Sequence, residues 1–216
     1  MTLKLNGSTS GSISLDAPAS TTGGSDVTLT LPVNDGNAGQ ILQTDGSGNL
    51  SWVDKPTEGI TEYDMWVLDA DLTGSQAPIT ADFARPTTSA IAQYIGTGMG
   101  QASGVFTFPN TGKWLVKFKC NLKGNNLVEV YGRIAIELTT NNGGAWDFIS
   151  RGNANMHNSG GLYNYEMGYA EAMVDVTSTT DVKVRFATTF SNASTKIAGH
   201  APSAETSVSF MKIGGT

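Results

Sequence analysis

The chain has 216 residues, 39% hydrophobic and 15% charged, enough apolar side chain for one sizeable core or for one domain with an extension. Its net charge of −6 disfavours a nucleic-acid-binding surface, and no apolar run approaches the ~18 residues that a membrane helix needs. The single cysteine, Cys120, excludes an intrachain disulfide, and the frequent Gly, Ser, Thr and Asn favour short strands and turns over helices.

Residues 1–53 differ from the rest. Apolar side chains recur at period two in short groups: Leu3 and Leu5; Ile13 and Leu15; Val27, Leu29 and Leu31; Ile41 or Leu42; Leu50 and Trp52. Turn residues separate them, among them Gly23-Gly24, Asn34-Asp35-Gly36 and Asp45-Gly-Ser-Gly-Asn49. Isolated hairpins of this length are marginal in water, so one chain cannot build a core from this segment. The alternation is too apolar for a disordered leader. It predicts an extended β stalk in which three copies bury Leu3, Leu5, Ile13, Leu15, Val27, Leu29, Leu31, Leu50 and Trp52 along a common axis. The ordered phrase Ser12-Ile-Ser-Leu-Asp-Ala-Pro18, Leu29-Thr-Leu-Pro32 and Gly39-Gln-Ile-Leu-Gln-Thr-Asp45-Gly-Ser-Gly-Asn-Leu-Ser-Trp52 resembles the stalk repeat in fibre and appendage proteins of tailed phages, particularly marine ones. The first residues carry no signal-peptide apolar region, which predicts synthesis in a host cytoplasm and exit, if any, by lysis or as part of a particle.

Residues 54–60, polar and punctuated by Pro and Gly, read as a linker, and residues 61–216 as a head domain. Strands are expected at 63–69, 91–95, 105–108, 113–122, 128–138, 146–150, 163–176, 182–189 and 208–213, with 72–104 otherwise irregular. The clearest pair surrounds the turn Pro109-Asn-Thr-Gly112. Beyond it Trp114, Val116, Phe118, Cys120 and Leu122 face a core, while Lys113, Lys117 and Lys119 face water. Asn121 reads as the stop of that strand, before a turn at 124–126. Val128, Val130, Gly132, Ile134, Ile136 and Leu138 are expected on one face of the next strand. Polar loops are expected at 139–145, 152–161 and 191–205. No stretch shows sustained helical periodicity.

The order Phe106-Thr-Phe108-Pro109-Asn-Thr-Gly112-Lys-Trp114-Leu-Val116-Lys-Phe118 resembles the signature strand pair of the jelly-roll domain shared by the globular head of complement and the tumour necrosis factor family. Ser207-Val-Ser-Phe210-Met-Lys-Ile213 resembles the closing strand of that domain. The resemblance implies an all-β jelly-roll sandwich that packs as a homotrimer.

Chemistry-bearing motifs are sparse. Gly96-Thr-Gly98-Met-Gly100 lacks the Lys-Ser/Thr pair and following helix of a phosphate loop and reads as a turn where backbones pass closely. His157 and His200 have no Cys or carboxylate at ligand spacing, although three copies of one histidine on a threefold axis would meet. Asp69-Ala-Asp71 and the 45–49 turn carry calcium-type oxygens but read as Asx turns. No Gly-x-Ser-x-Gly elbow occurs, and no glycosidase pair can be picked among Glu129, Glu137, Asp147, Glu166, Glu171 and Asp175. No catalytic residue, cofactor or metal is therefore expected. Trp146, His157, Tyr163, Asn192 and His200 are the candidate contacts to a host surface glycan or protein. For Tyr163 to Tyr169 two readings stand: a contact platform, or a strand whose odd positions pack between subunits. The sequence points to a trimeric virion fibre, joined through its stalk to another virion protein. It would be a tail fibre or receptor-binding appendage, or alternatively a capsid head fibre or decoration protein.

Overall fold

The computed structural model describes residues 3–6, 9–15, 18–55, 59–80, 83–87, 94–125, 128–157 and 160–216, without the side chains of Leu3, Ile13 and Asn125. Residues 91–93 of the expected 91–95 strand and Asn126 of the expected turn lie outside these, as does part of the linker. The chain divides into two units, Met1–Thr57 and Glu58–Thr216.

In the first unit Leu3–Asn6 (β1) pairs antiparallel with Ser12–Leu15 (β2), and Gln40–Thr44 (β3) with Leu50–Asp54 (β4). The second hairpin closes on Asp45. Its carboxylate accepts the Ser47 and Asn49 backbone N–H groups at 2.7 and 3.1 Å and the Asn49 side-chain amide at 2.7 Å. The Asn49 amide, followed by the Ser47 N–H, holds this carboxyl below its usual range. The Asp45 carboxylate is thus engaged by donors of its own turn. Residues 25–39, where Val27, Leu29 and Leu31 predict a strand, form only a single bridge between Thr30 and Asn49. Among the described residues no neighbouring segment extends that bridge into a ladder. Leu5, Leu15, Val27, Leu29 and Leu31 are 53 to 70% exposed. Trp52 is engaged within the unit: its indole donates to the Asn34 carbonyl at 2.9 Å and lies against Gly36.

The second unit begins with Tyr63–Leu68 (β5). The stretch expected to be irregular supplies three short strands, Leu72–Thr73 (β6), Phe83–Ala84 (β7) and Gly100–Ala102 (β9), and Tyr94–Ile95 (β8) falls within the strand expected at 91–95. Then come Val105–Thr107 (β10), Gly112–Asn125 (β11), Glu129–Thr139 (β12), Asp147–Met156 (β13), Tyr163–Val176 (β14), Lys183–Phe190 (β15), Lys196–Ile197 (β16) and Ser207–Gly214 (β17). One sheet runs β13-β12-β15-β10-β9. In the other, β11 carries β14 on one side and β17, then β5 and β7, on the other, with β16 and β6 beside its C-terminal end. Every pairing between these strands is antiparallel, and the chain crosses between sheets at β8–β9, β10–β11, β11–β12, β13–β14, β14–β15 and β15–β16. This is an all-β jelly-roll sandwich, and no α-helix occurs among the described residues.

The core lies between the sheets. Phe106 touches four rings, Trp66, Phe83, Phe186 and Phe210, at centroid distances of 5.1 to 5.7 Å. Trp114, 1% exposed, packs on Phe108 at 5.2 Å. Val116, Phe118, Cys120 and Leu122 follow it inward, as their alternation predicts. Burial pushes the Cys120 thiol up to about 12.

Four expectations need correction. Asn121 does not end its strand: β11 continues to Asn125, because β14 pairs with all fourteen of its positions, Gly112↔Val176 to Asn125↔Tyr163. Residues 152–156 are strand, not loop. Gly152 is a close-approach position, since a Cβ there would sit 2.0 Å from the Tyr169 carbonyl oxygen. The 191–205 segment is not all contact loop: it contains β16, and Thr195, Ile197 and Ala198 are buried. Finally, Val128 and Val130 are exposed while Glu129 is buried. The ladder to β13 shifts register between Glu129 and Gly132, so the face expected from alternation reverses there.

Candidate functional site

The strand register sorts the head's features by end and by face. The chain enters at Tyr63, opposite Met211, and that end also holds the Pro109–Gly112 turn, the β12–β13 connection and the β14–β15 connection. The far end holds the connections after β13, β15 and β16.

This separates the candidate contact residues. His157 and Tyr163 flank the connection after β13, and Asn192 and His200 lie after β15 and β16, so all four sit at the far end. Tyr163 lies over Lys123, 5.8 Å from its ammonium, and Lys123 reaches Asp71 at 3.2 Å. The Asn192 side chain closes its own turn by accepting from Ser194 N–H at 2.9 Å, and His200 Nδ1 bonds to Ser203 Oγ at 3.0 Å. Trp146, on the β12–β13 connection, stands at the opposite end and does not join them.

Beneath Asn192 lies Glu129, which no sequence motif distinguishes from the other carboxylates. It accepts from Ser191 N–H at 2.8 Å, Tyr131 N–H at 3.1 Å, Asn192 N–H at 3.2 Å and Thr195 Oγ1 at 2.6 Å, and from the Ser191 hydroxyl. Burial raises its pKa, but the bonds from Ser191, Thr195 and Asn192 together outweigh it and hold the carboxyl below its usual range. The glycine loop at 96–100 is likewise occupied by the chain itself. Glu62 accepts from Thr97 N–H at 2.9 Å, and Asp64 from Met99 N–H at 2.7 Å. Arg85 Nη2 reaches Asp64 at 2.9 Å while lying over Trp66 and Tyr94. The donors that a phosphate would use are filled by these carboxylates.

No family model and no curated protein sequence matches the chain. Among solved structures, that of the Eiger tumour necrosis factor from S. frugiperda superposes with a TM-score of 0.48 at 10% identity, over 71% of this chain and 94% of that one.

The outward faces of the sheets are unlike. On the larger sheet, the side of β11 expected to be wet is only partly so. The pairs Met173↔Leu115, Leu115↔Met211 and Met211↔Tyr63 align four apolar side chains in one row across β14, β11, β17 and β5. Met173 is 63% exposed, and Tyr169 and Tyr165 continue the exposed side of β14. Beside this row, Lys113 pairs with Asp175 at 2.5 Å and Lys117 with Glu171 at 3.5 Å. A cavity of about 580 Å³ lies between Met65, Lys117, Tyr169 and Ser209.

On the smaller sheet, three arginines each lie over a ring: Arg133 on Tyr131 at 4.6 Å, Arg151 on Phe148 at 3.9 Å and Arg185 on Trp146 at 4.2 Å. Arg185 also pairs with the nearly buried Glu137. A cleft of about 620 Å³ opens between Gln101, Thr107, Asn142, Trp146, Lys183 and Arg185. Among the described residues, no group of three or more His, Cys, Asp or Glu side chains is placed to hold a metal ion.

Proposed function

We propose that the protein is a homotrimeric virion fibre, a tail fibre or receptor-binding appendage without catalytic activity, whose head meets the host cell surface. The observation that carries the oligomer is uncovered apolar surface in both units. In the first, Leu5, Leu15, Val27, Leu29 and Leu31 lie exposed on a chain too short-stranded to cover them. In the second, the Met173–Leu115–Met211–Tyr63 row crosses an open sheet. Apolar area of this kind is stabilised by being covered, and self-association of identical chains covers both sets together. The virion setting is supported by the ordered phrase from Ser12 to Trp52, which resembles the phage stalk repeat. Synthesis in the host cytoplasm and assembly onto another virion protein through residues 1–53 follow from the same reading.

For Tyr163 to Tyr169, the exposed row favours packing between subunits over a free contact platform. The far end, with His157, Asn192 and His200, remains open for host contact. Native mass spectrometry of the purified protein is expected to show three copies of the 22.6 kDa chain. A stable monomer at micromolar concentration overturns the reading. Labelling of particles with an antibody to the head is expected at the tail, and labelling over the capsid shell would make the protein a decoration fibre instead.

A further inference from the structure

We infer that the outward face of the smaller sheet is a binding surface for an acidic polysaccharide, one that offers carboxylates along a chain of linked sugars. The inference names the ligand class of the proposed host-contacting head and rests on that reading for its setting.

The charge on this face is reversed relative to the chain. The protein has 13 Lys and Arg against 19 Asp and Glu. On the outward side of β12, β13 and β15 stand Arg133, Arg151, Lys183 and Arg185, against Glu137. Glu137 is already committed to Arg185. Arg133 and Arg151 have no carboxylate partner among the described residues; each is held only by its ring. Arg185 uses Nε for Glu137, and its two terminal nitrogens make no hydrogen bond among the described residues. A guanidinium that meets a ring through its π-face rather than through a hydrogen bond leaves its N–H groups available, and their fork can grip a carboxylate with two parallel bonds.

The neighbouring chemistry selects a sugar. Phe148 is 54% exposed and Trp146 borders the 620 Å³ cleft, so apolar ring surface lies beside each cation. Gln101, Thr107 and Asn142 add neutral donors and acceptors suited to hydroxyl groups. The layout selects a polymer. Arg151 and Arg185 sit on strands either side of β12, opposite Ala135 and Glu137, so two strand spacings and a two-residue offset set their backbones roughly 12 Å apart, a span for a run of linked sugars and not for one. Stacked bases are a poorer match, because each ring already has one face covered by a guanidinium.

The test is calorimetric titration of the full-length protein with polygalacturonate, with dextran as the neutral control and single-stranded DNA and inorganic polyphosphate as competing polyanions. Saturable binding to polygalacturonate at 50 mM salt is expected, at least tenfold weaker at 300 mM, with none to dextran. Arg151→Gln with Lys183→Gln is expected to weaken it at least tenfold while the melting temperature stays unchanged, since neither side chain holds a buried carboxylate. No binding at low salt, undiminished binding by the double variant, or equal or tighter binding of either competing polyanion overturns the assignment. If binding is absent while the trimer mass and tail labelling stand, the glycan assignment fails and the fibre reading survives.

Discussion

Glu129 has no exposed surface, yet it is ionised and fastens the start of β12 to the Ser191–Thr195 turn. A carboxyl held below its ordinary value of 4.5 by folding binds its proton less readily in the folded chain than in the unfolded one. Its contribution is complete above the unfolded value and drains away as pH falls through the folded one. Glu129→Gln is therefore expected to cost about 2–3 kcal/mol at neutral pH. Melts taken from pH 7 to pH 3 should show the gap between parent and variant closing below about 4.5. A constant gap would mean that shape, not charge, holds the turn. Trp114 and Lys117 make a second comparison on one strand. Trp114→Ala opens a cavity against Phe108 and is expected to cost about 3–5 kcal/mol. Lys117→Ala breaks an exposed pair with Glu171 and is expected to cost under about 1 kcal/mol. Urea unfolding of both reads the register directly, and equal losses would refute it.

Among elements, β14 carries the most consequence. Its even positions from Gly168 to Val176 line the core side while Tyr163, Tyr165, Tyr169 and Met173 are exposed. Met173→Lys together with Met211→Lys places two charges in the apolar row and is expected to release folded monomers. Sedimentation should show the smaller species and circular dichroism a preserved cooperative melt. A trimer that tolerates both lysines would put the interface elsewhere. The long strands were legible because their alternation is unbroken, as in Trp114 to Leu122. The failures share a cause, which is dependence on a partner strand. Val27 to Leu31 alternates well but, among the described residues, finds only the single bridge from Thr30 to Asn49. Residues 152–156 alternate poorly but are held by β12, with Gly152 admitting the backbone of β14. The reversal at Val128–Val130 comes from a register shift that one strand's sequence does not encode.

At the scale of the molecule, the two-sheet plan was readable from the strand pair around Pro109–Gly112, whereas the surfaces were not. Arg133, Arg151 and Arg185 are scattered in sequence and meet only across three strands. The separation of Trp146 from His157, Asn192 and His200 likewise follows from which end each connection occupies. One feature of the plan bears on how the head behaves under load. The first strand of the head lies antiparallel beside the last, Tyr63 opposite Met211 and Val67 opposite Ser207. Suppose the chain is pulled through Glu62 while the far end is held. The force then runs along β5, and the ladder bonds, which lie across the strand, share it in shear and do not open one at a time. The Glu62 and Asp64 carboxylates, clasped by Thr97, Met99 and Arg85, brace the point where the tension enters. Two neighbouring strands thus make the head a joint that resists extraction by its leading end.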